Sequence, residues 1–334
     1  MVINEIVAQP QPISWLPWAV QYFFFIGIAS CAALLACVAR WVSHQHSEQF
    51  ERVCLFIALT CGITAPLALT ADLHQTARFW HFYAWPTPWS WMPWGALFLP
   101  LFTLLLGLWF VLFHLRPATV RFTPLLRWLA LGAALTAVGL LLYTGREVSV
   151  VRARPLWFSY AFPVAMFISA MSALLALLSV AMRDVARRLA QGQVLTLLLL
   201  AGVMLAWYLG DTLSGDALRQ QWQGNPQTRV DILILITLWA AAVVFALVAS
   251  RNTLPLTATL ANALLVAGLC WTLRWAVLMG GQTIPKNNAL MNDYTLPMGT
   301  DGLLAIVGTF GLWFALMITV REGVNWLSRR LQHA

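Results

Sequence analysis

Between positions 72 and 95 the chain reads DLHQTARFWHFYAWPTPWSWMPWG, and a second polar stretch, YTGREVSVVRARP, occupies 143–155. The first places Asp72, His74, Arg78 and His81 among five tryptophans; the second places Tyr143, Arg146 and Glu147 at spacings of three and four residues. On a helix, that spacing brings Tyr143 beside both charges. These residue types suit one kind of chemistry. A dihydroxy aromatic such as a quinol can be oxidised only if each hydroxyl meets a base or hydrogen-bond acceptor, and imidazole and carboxylate side chains serve near neutral pH. A phenol and a guanidinium can hold the ring oxygens. The tryptophans have a plainer reading, as rings gathered at the headgroup level of a membrane. His74 and His81 share a face only if the segment between them is helical, and Pro86, Pro88 and Pro93 prevent a long regular helix there. Arg146 and Glu147 also fit charges that snorkel or pair at a membrane margin.

The elements that carry these stretches are apolar. Hydrophobic residues make up 60% of the 334 and charged ones 10%, with a mean hydropathy of +0.75, whereas soluble domains carry about 25% charged residues. Runs of about 20 apolar residues are long enough to cross a bilayer as helices. Runs near 16–39, 53–71, 94–114, 125–144, 157–182, 193–210, 231–250, 257–279 and 302–320 predict an all-α integral membrane protein, a single polytopic domain over 1–334 with nine transmembrane helices. The first fourteen residues hold Glu5 and no Lys or Arg, so they lack the basic start of a signal peptide, and span one is expected to be retained.

The net charge of +8 does not point to nucleic acid, because the arginines are spread over the loops between apolar runs. If the spans alternate, twelve of the 20 cations fall on one side and seven on the other, with Arg274 inside span eight. The positive-inside rule then puts the twelve, and the C-terminus, on the cytoplasmic side, with the N-terminus outside. The long polar stretches lie on the outer side, where function is expected.

Five cysteines sit in apolar runs without a C-x-x-C pair, and all six histidines fall in loops, at a span end or at the terminus. Neither an iron–sulfur cluster nor a haem is expected in this chain, and no metal site. Gln21 and Arg274 are polar residues within apolar runs; such groups face a bundle interior or cavity. Arg274 is expected to pair with an acid, Asp301 or Asp211. A transporter would show inverted repeats and polar groups at the midplane, which the sequence does not display, and a passive anchor for soluble subunits is a further alternative.

The 72–95 stretch resembles the D-L-G-x-x-x-R-F-W…S-W-M-x-W-G signature of the NrfD, or polysulfide-reductase membrane-subunit, family, with His74 in place of the usual glycine. The YTG at 143–145 and the Gly-containing first span, PWAVQYFFFIGIA, are similar to that family as well. The resemblance implies NrfD-like helical bundles and a membrane protein that oxidises a quinol, menaquinol or ubiquinol, near the outer face. Its electrons would pass to a periplasmic four-cluster iron–sulfur subunit and thence to a molybdopterin catalytic subunit. It carries Tyr143, Asp72 and Arg78 into the quinol pocket; His74, His81, Glu147, Arg146 and Gln21 join the candidates on chemistry alone. Membrane lipid is the remaining partner expected.

Overall fold

The computed structural model describes residues 13–42, 47–73, 75–114, 123–224, 226–284 and 294–332. Among these, every regular element is helical: α1 Pro17–Trp41, α2 Ser47–Asp72, α3 His81–Ala84, α4 Met92–His114, α5 Thr123–Ser149, α6 Ala161–Ala181, α7 Ala186–Leu209, α8 Leu213–Gly224, α9 Pro226–Arg251, α10 Leu256–Leu278, α11 Gly280–Thr283 and α12 Leu303–Gln332. Nine of them, all but α3, α8 and α11, are long and apolar enough to cross a membrane, as expected. A helix satisfies its backbone groups within itself, which is what a hydrocarbon environment demands. Several helices run past their apolar stretch. α5 continues to Ser149, and Arg146 and Glu147 therefore stand on regular helix rather than in a loop.

Successive spans reverse direction. The end of the molecule where α1 begins is termed the N-face, and the opposite end, where α12 finishes, the C-face. α1, α2, α4 and α5 pack as one four-helix group, and α6, α7, α9 and α10 as another; α1 also touches α6, α10 and α12. α1 is buried over 83% of its apolar window, against 11% for α9 and α12. It is the central helix. Its small residues Ala29, Ala32, Ala33 and Ala36 are fully buried and allow α2 to approach closely, the usual device where no hydrophobic force separates helix from lipid.

Polar ties fix the helices against one another. Near the C-face, Arg40 of α1 donates through Nε and Nη2 to Glu51 Oε1 of α2 (2.9 and 2.5 Å), and Trp109 Nε1 of α4 donates to the same oxygen at 2.9 Å. Between α7 and α10, the amides of Gln193 and Asn262 exchange two hydrogen bonds of 3.2 and 3.0 Å. In the core, Arg274 of α10 differs from expectation. No acid among the described residues pairs with it. Its guanidinium donates to the carbonyls of Phe23 (2.9 Å), Cys270 (2.7 Å) and Met166 (2.8 Å), to Ser169 Oγ (3.1 Å) and to Cys270 Sγ (2.9 Å). Among the described residues the ion pairs are Arg40–Glu51, Arg52–Glu48 and Arg219–Asp216. Asp301 and Asp211 are not partners: Arg274 points into the seam of α1, α6 and α10, where backbone carbonyl dipoles surround the cation.

Candidate functional site

The four-helix group containing α1 ends at the N-face in a cluster of hydroxyl and carboxyl groups. Tyr143 comes from the last two turns of α5 and is buried. Its ring lies against Gly95 in the first turn of α4: a Cβ at Gly95 would come 2.1 Å from Tyr143 Cζ. Only glycine permits that approach. The Tyr143 hydroxyl reaches Met92 Sδ at 3.9 Å, and one turn on, Glu147 brings its carboxyl to the same hydroxyl. Tyr22 of α1 is the second phenol here. It is 1% exposed, its hydroxyl has no hydrogen-bond partner among the described residues, and it lies within electrostatic reach of Glu147 and Tyr143. Asp72, the last residue of α2, is the second carboxylate near Glu147. Its Oδ1 accepts the backbone N–H of Leu16 at 3.1 Å, which holds a negative charge at the positive end of α1.

Helix ends explain why these groups meet here. α2 and α5 finish, and α1 and α4 begin, at the same level, so residues far apart in the chain face one another across the group. Two carboxylates, two phenols and a thioether lie in this one region, a set that can accept protons and hold an aromatic oxygen.

Among the described residues, the segment between α2 and α4 holds a 3-10 turn, Thr76–Arg78, and the short α3, which ends just before Pro86 and Pro88. Phe79, Trp80, Tyr83, Trp85, Trp89 and Trp91 are exposed on it, as is Trp94 in the first turn of α4. Arg78 and His81 are exposed as well; the His81 ring packs edge-on against Trp80 and Trp85, at 4.1 and 5.4 Å. His74 lies outside the described residues. The Arg146 guanidinium sits over the rings of Trp91 (5.6 Å) and Tyr160 (5.3 Å), directed to the aromatic segment. Gln21, fully buried, donates to the Ile306 carbonyl at 3.0 Å and accepts from Trp271 Nε1 at 3.1 Å, tying α1 to α12 and α10. Asp72, Tyr143 and Glu147 are therefore brought together, whereas His81, Arg146 and Gln21 are held by other residues and Arg78 is exposed. Sequence reasoning passed over Tyr22 because it lies in the aromatic run YFFF. A hydroxyl in an apolar span, next to Gln21, was the available signal.

A second set of contacts holds the N-face closed beside the cluster. Gln282 Oε1 accepts the backbone N–H groups of Ser14 (3.1 Å) and Trp15 (3.0 Å), and its carbonyl accepts Arg154 Nη1 at 2.9 Å. Burial pulls the pKa of Arg154 below the ordinary arginine value, and the carbonyl takes the place of lost water. In the loop before α12, burial and then the nearby Asp301 raise the pKa of Tyr294.

Residues 5–286 match the family model described as "Polysulphide reductase, NrfD". The chain belongs to this family. Over its full length this NrfD-family chain is 56% identical to a tetrathionate reductase component of Salmonella typhimurium, covering 98% of that protein. It is also 27% identical over 192 residues to a selenate reductase component of Mesobacillus selenatarsenatis, covering 47% of this chain and 45% of that one. The NrfD match and the nine apolar helices together make it a multi-pass membrane protein. The match includes both polar stretches, 72–95 and 143–155, and every member of the N-face cluster.

Proposed function

We propose that this chain oxidises quinol at the N-face cluster, as the membrane subunit of a respiratory reductase, and passes the electrons to an iron–sulfur subunit docked over the exposed aromatic segment. The observation that carries this reading is the Tyr143–Glu147 pair, with Tyr22 and Asp72 within electrostatic reach of it, at the end of a helix group whose sides face lipid. A quinol approaching from the bilayer keeps its isoprenoid tail in hydrocarbon and brings its ring to the phenols. Its two hydroxyl protons pass to Glu147 and Asp72, and two electrons leave as quinone forms. The full-length likeness to a component of a tetrathionate reductase supports tetrathionate as the terminal acceptor, reduced to thiosulfate on a molybdopterin subunit reached through the iron–sulfur one. The partial likeness to a component of a selenate reductase supports the same membrane chemistry with another acceptor. In this reading the N-face is periplasmic and the membrane is the bacterial inner membrane.

The test is quinol-dependent reduction of tetrathionate by membranes carrying Tyr143→Phe or Glu147→Gln. Both variants change little volume. Assembly at wild-type level with turnover lowered by about a hundredfold, within the usual range for a lost general base, is the expected result. Unchanged turnover would reduce the chain to a passive anchor.

A further inference from the structure

At the C-face, far from that cluster, a cavity of about 230 Å³ lies where α6 ends, α7 begins, α9 ends and α10 begins. Its lining is largely polar. Ser179, Thr259 and Asn262 are buried and form the inner wall, while Arg183, Arg187 and Asn252 stand exposed at the rim. Among the described residues no Asp, Glu or Lys lines it; Asp184, on the 3-10 turn Arg183–Val185, stays outside the lining. Two helix N-termini and two C-termini meet here, so their dipoles offset one another. The two guanidiniums therefore set the sign of the cavity.

The two arginines play different parts. Arg183 is built in: Nη1 donates to Thr259 Oγ1 at 2.6 Å and Nη2 to the Leu254 carbonyl, which ties the α6–α7 corner to the α9–α10 corner. Arg187, in the first turn of α7, has neither an ion-pair nor a hydrogen-bond partner among the described residues. Deeper in, Asn262 gives one amide hydrogen to Gln193 Oε1 at 3.0 Å, and a primary amide carries a second. A free guanidinium beside a buried amide, with no acid in the lining, is a donor set suited to phosphate oxygens. An ammonium would find no partner there. The adjoining surface is apolar: Val248 of α9 and Leu256 and Leu260 of α10 are exposed beside the rim, on spans apolar enough to meet hydrocarbon. A ligand that satisfies both surfaces carries its negative charge on a headgroup and its bulk in acyl chains.

We propose that the C-face cavity binds the phosphate of an anionic phospholipid between Arg187 and Arg183, with the acyl chains lying against α9 and α10. Basic pockets between transmembrane helices suit such headgroups. Occupied, the cavity joins the same two corners that Arg183 ties. The test titrates phosphatidylglycerol into the full-length protein in detergent and counts retained lipids by native mass spectrometry. The first phosphatidylglycerol is expected to bind about tenfold more tightly than phosphatidylcholine, whose ammonium meets no acid in the lining. Arg187→Gln and Asn252→Asp, both at exposed positions, each weaken that first site about tenfold, equivalent to ~1.4 kcal/mol. Arg188→Gln removes the adjacent cation outside the lining and changes it by no more than about twofold, as for an exposed charge. Glycerol phosphate in molar excess, the same phosphate without acyl chains, leaves the lipid bound; displacement would assign the cavity to a soluble phosphate and overturn the lipid as its source. Equal affinity for the two lipids overturns the proposal, as does unchanged affinity in either Arg187→Gln or Asn252→Asp. A loss in Arg188→Gln as large as in Arg187→Gln also overturns it, because diffuse surface charge would then be the cause.

Discussion

Gly95 lies directly beneath the ring of Tyr143, so closely that a Cβ would sit 2.1 Å from Cζ and 2.3 Å from Cε1. The pair joins the first turn of α4 to the end of α5 and sets the depth at which the Tyr143 hydroxyl stands. Gly95→Ala must push the ring or the helix aside. The expected cost is about 1–3 kcal/mol by overpacking, read as a lower midpoint of thermal unfolding in detergent. Quinol oxidation should fall together with it, because the hydroxyl leaves Glu147. Wild-type stability and turnover in Gly95→Ala would show that the approach is unimportant.

Arg274 offers a sharper stability prediction. Its guanidinium satisfies three carbonyls on α1, α6 and α10 at once, so Arg274→Met leaves buried acceptors without donors. Breaking a buried charged network costs about 3–5 kcal/mol; the variant should accumulate poorly in membranes and unfold at lower temperature. Because neither Asp301 nor Asp211 partners Arg274, Asp301→Asn and Asp211→Asn should leave the unfolding temperature close to wild type. A large loss in either aspartate variant would contradict the carbonyl cage.

The cation asymmetry, twelve against seven, predicts a cytoplasmic C-terminus under the positive-inside rule. A green fluorescent protein fused after Ala334 should fluoresce, and alkaline phosphatase fused at the same point should be inactive. The reverse pattern would turn the N-face toward the cytoplasm and remove the basis for a periplasmic electron acceptor.

Energy conservation is a consequence of the same placement. If quinol releases two protons at the N-face and its electrons leave on that side, no net charge crosses the membrane, where each would be worth ~2.3 kcal/mol per 100 mV. The carboxylates of the cluster, Asp72 and Glu147, both lie at the N-face ends of their helices. Proteoliposomes holding the intact complex, supplied with quinol and tetrathionate, should therefore build no potential on a voltage-sensitive dye. An uncoupler-sensitive potential would require a proton route from the C-face.

Much of the architecture was legible without coordinates. Each span is a local property: a stretch of apolar residues long enough to cross hydrocarbon and obliged to close its own hydrogen bonds has one available structure. The nine apolar helices were countable for that reason, and the paired stretches at 72–95 and 143–155 were recognisable as belonging together. Tyr143 and Glu147 were nameable from residue type and spacing, since a helix places i and i+4 side by side whatever surrounds it, and Asp72 from the family resemblance. The partners of those residues were not nameable. Which face α1 turns toward α5, and hence whether Gln21 or Tyr22 meets Glu147, depends on how the helices rotate and pack. The structure turned Tyr22 inward to the carboxyl and Gln21 to Trp271 and Ile306. Arg274 shows the same division: a cation in an apolar run announces a buried charge. What neutralises it was decided by tertiary packing, because the acceptors are backbone carbonyls, which every residue carries and no sequence pattern marks.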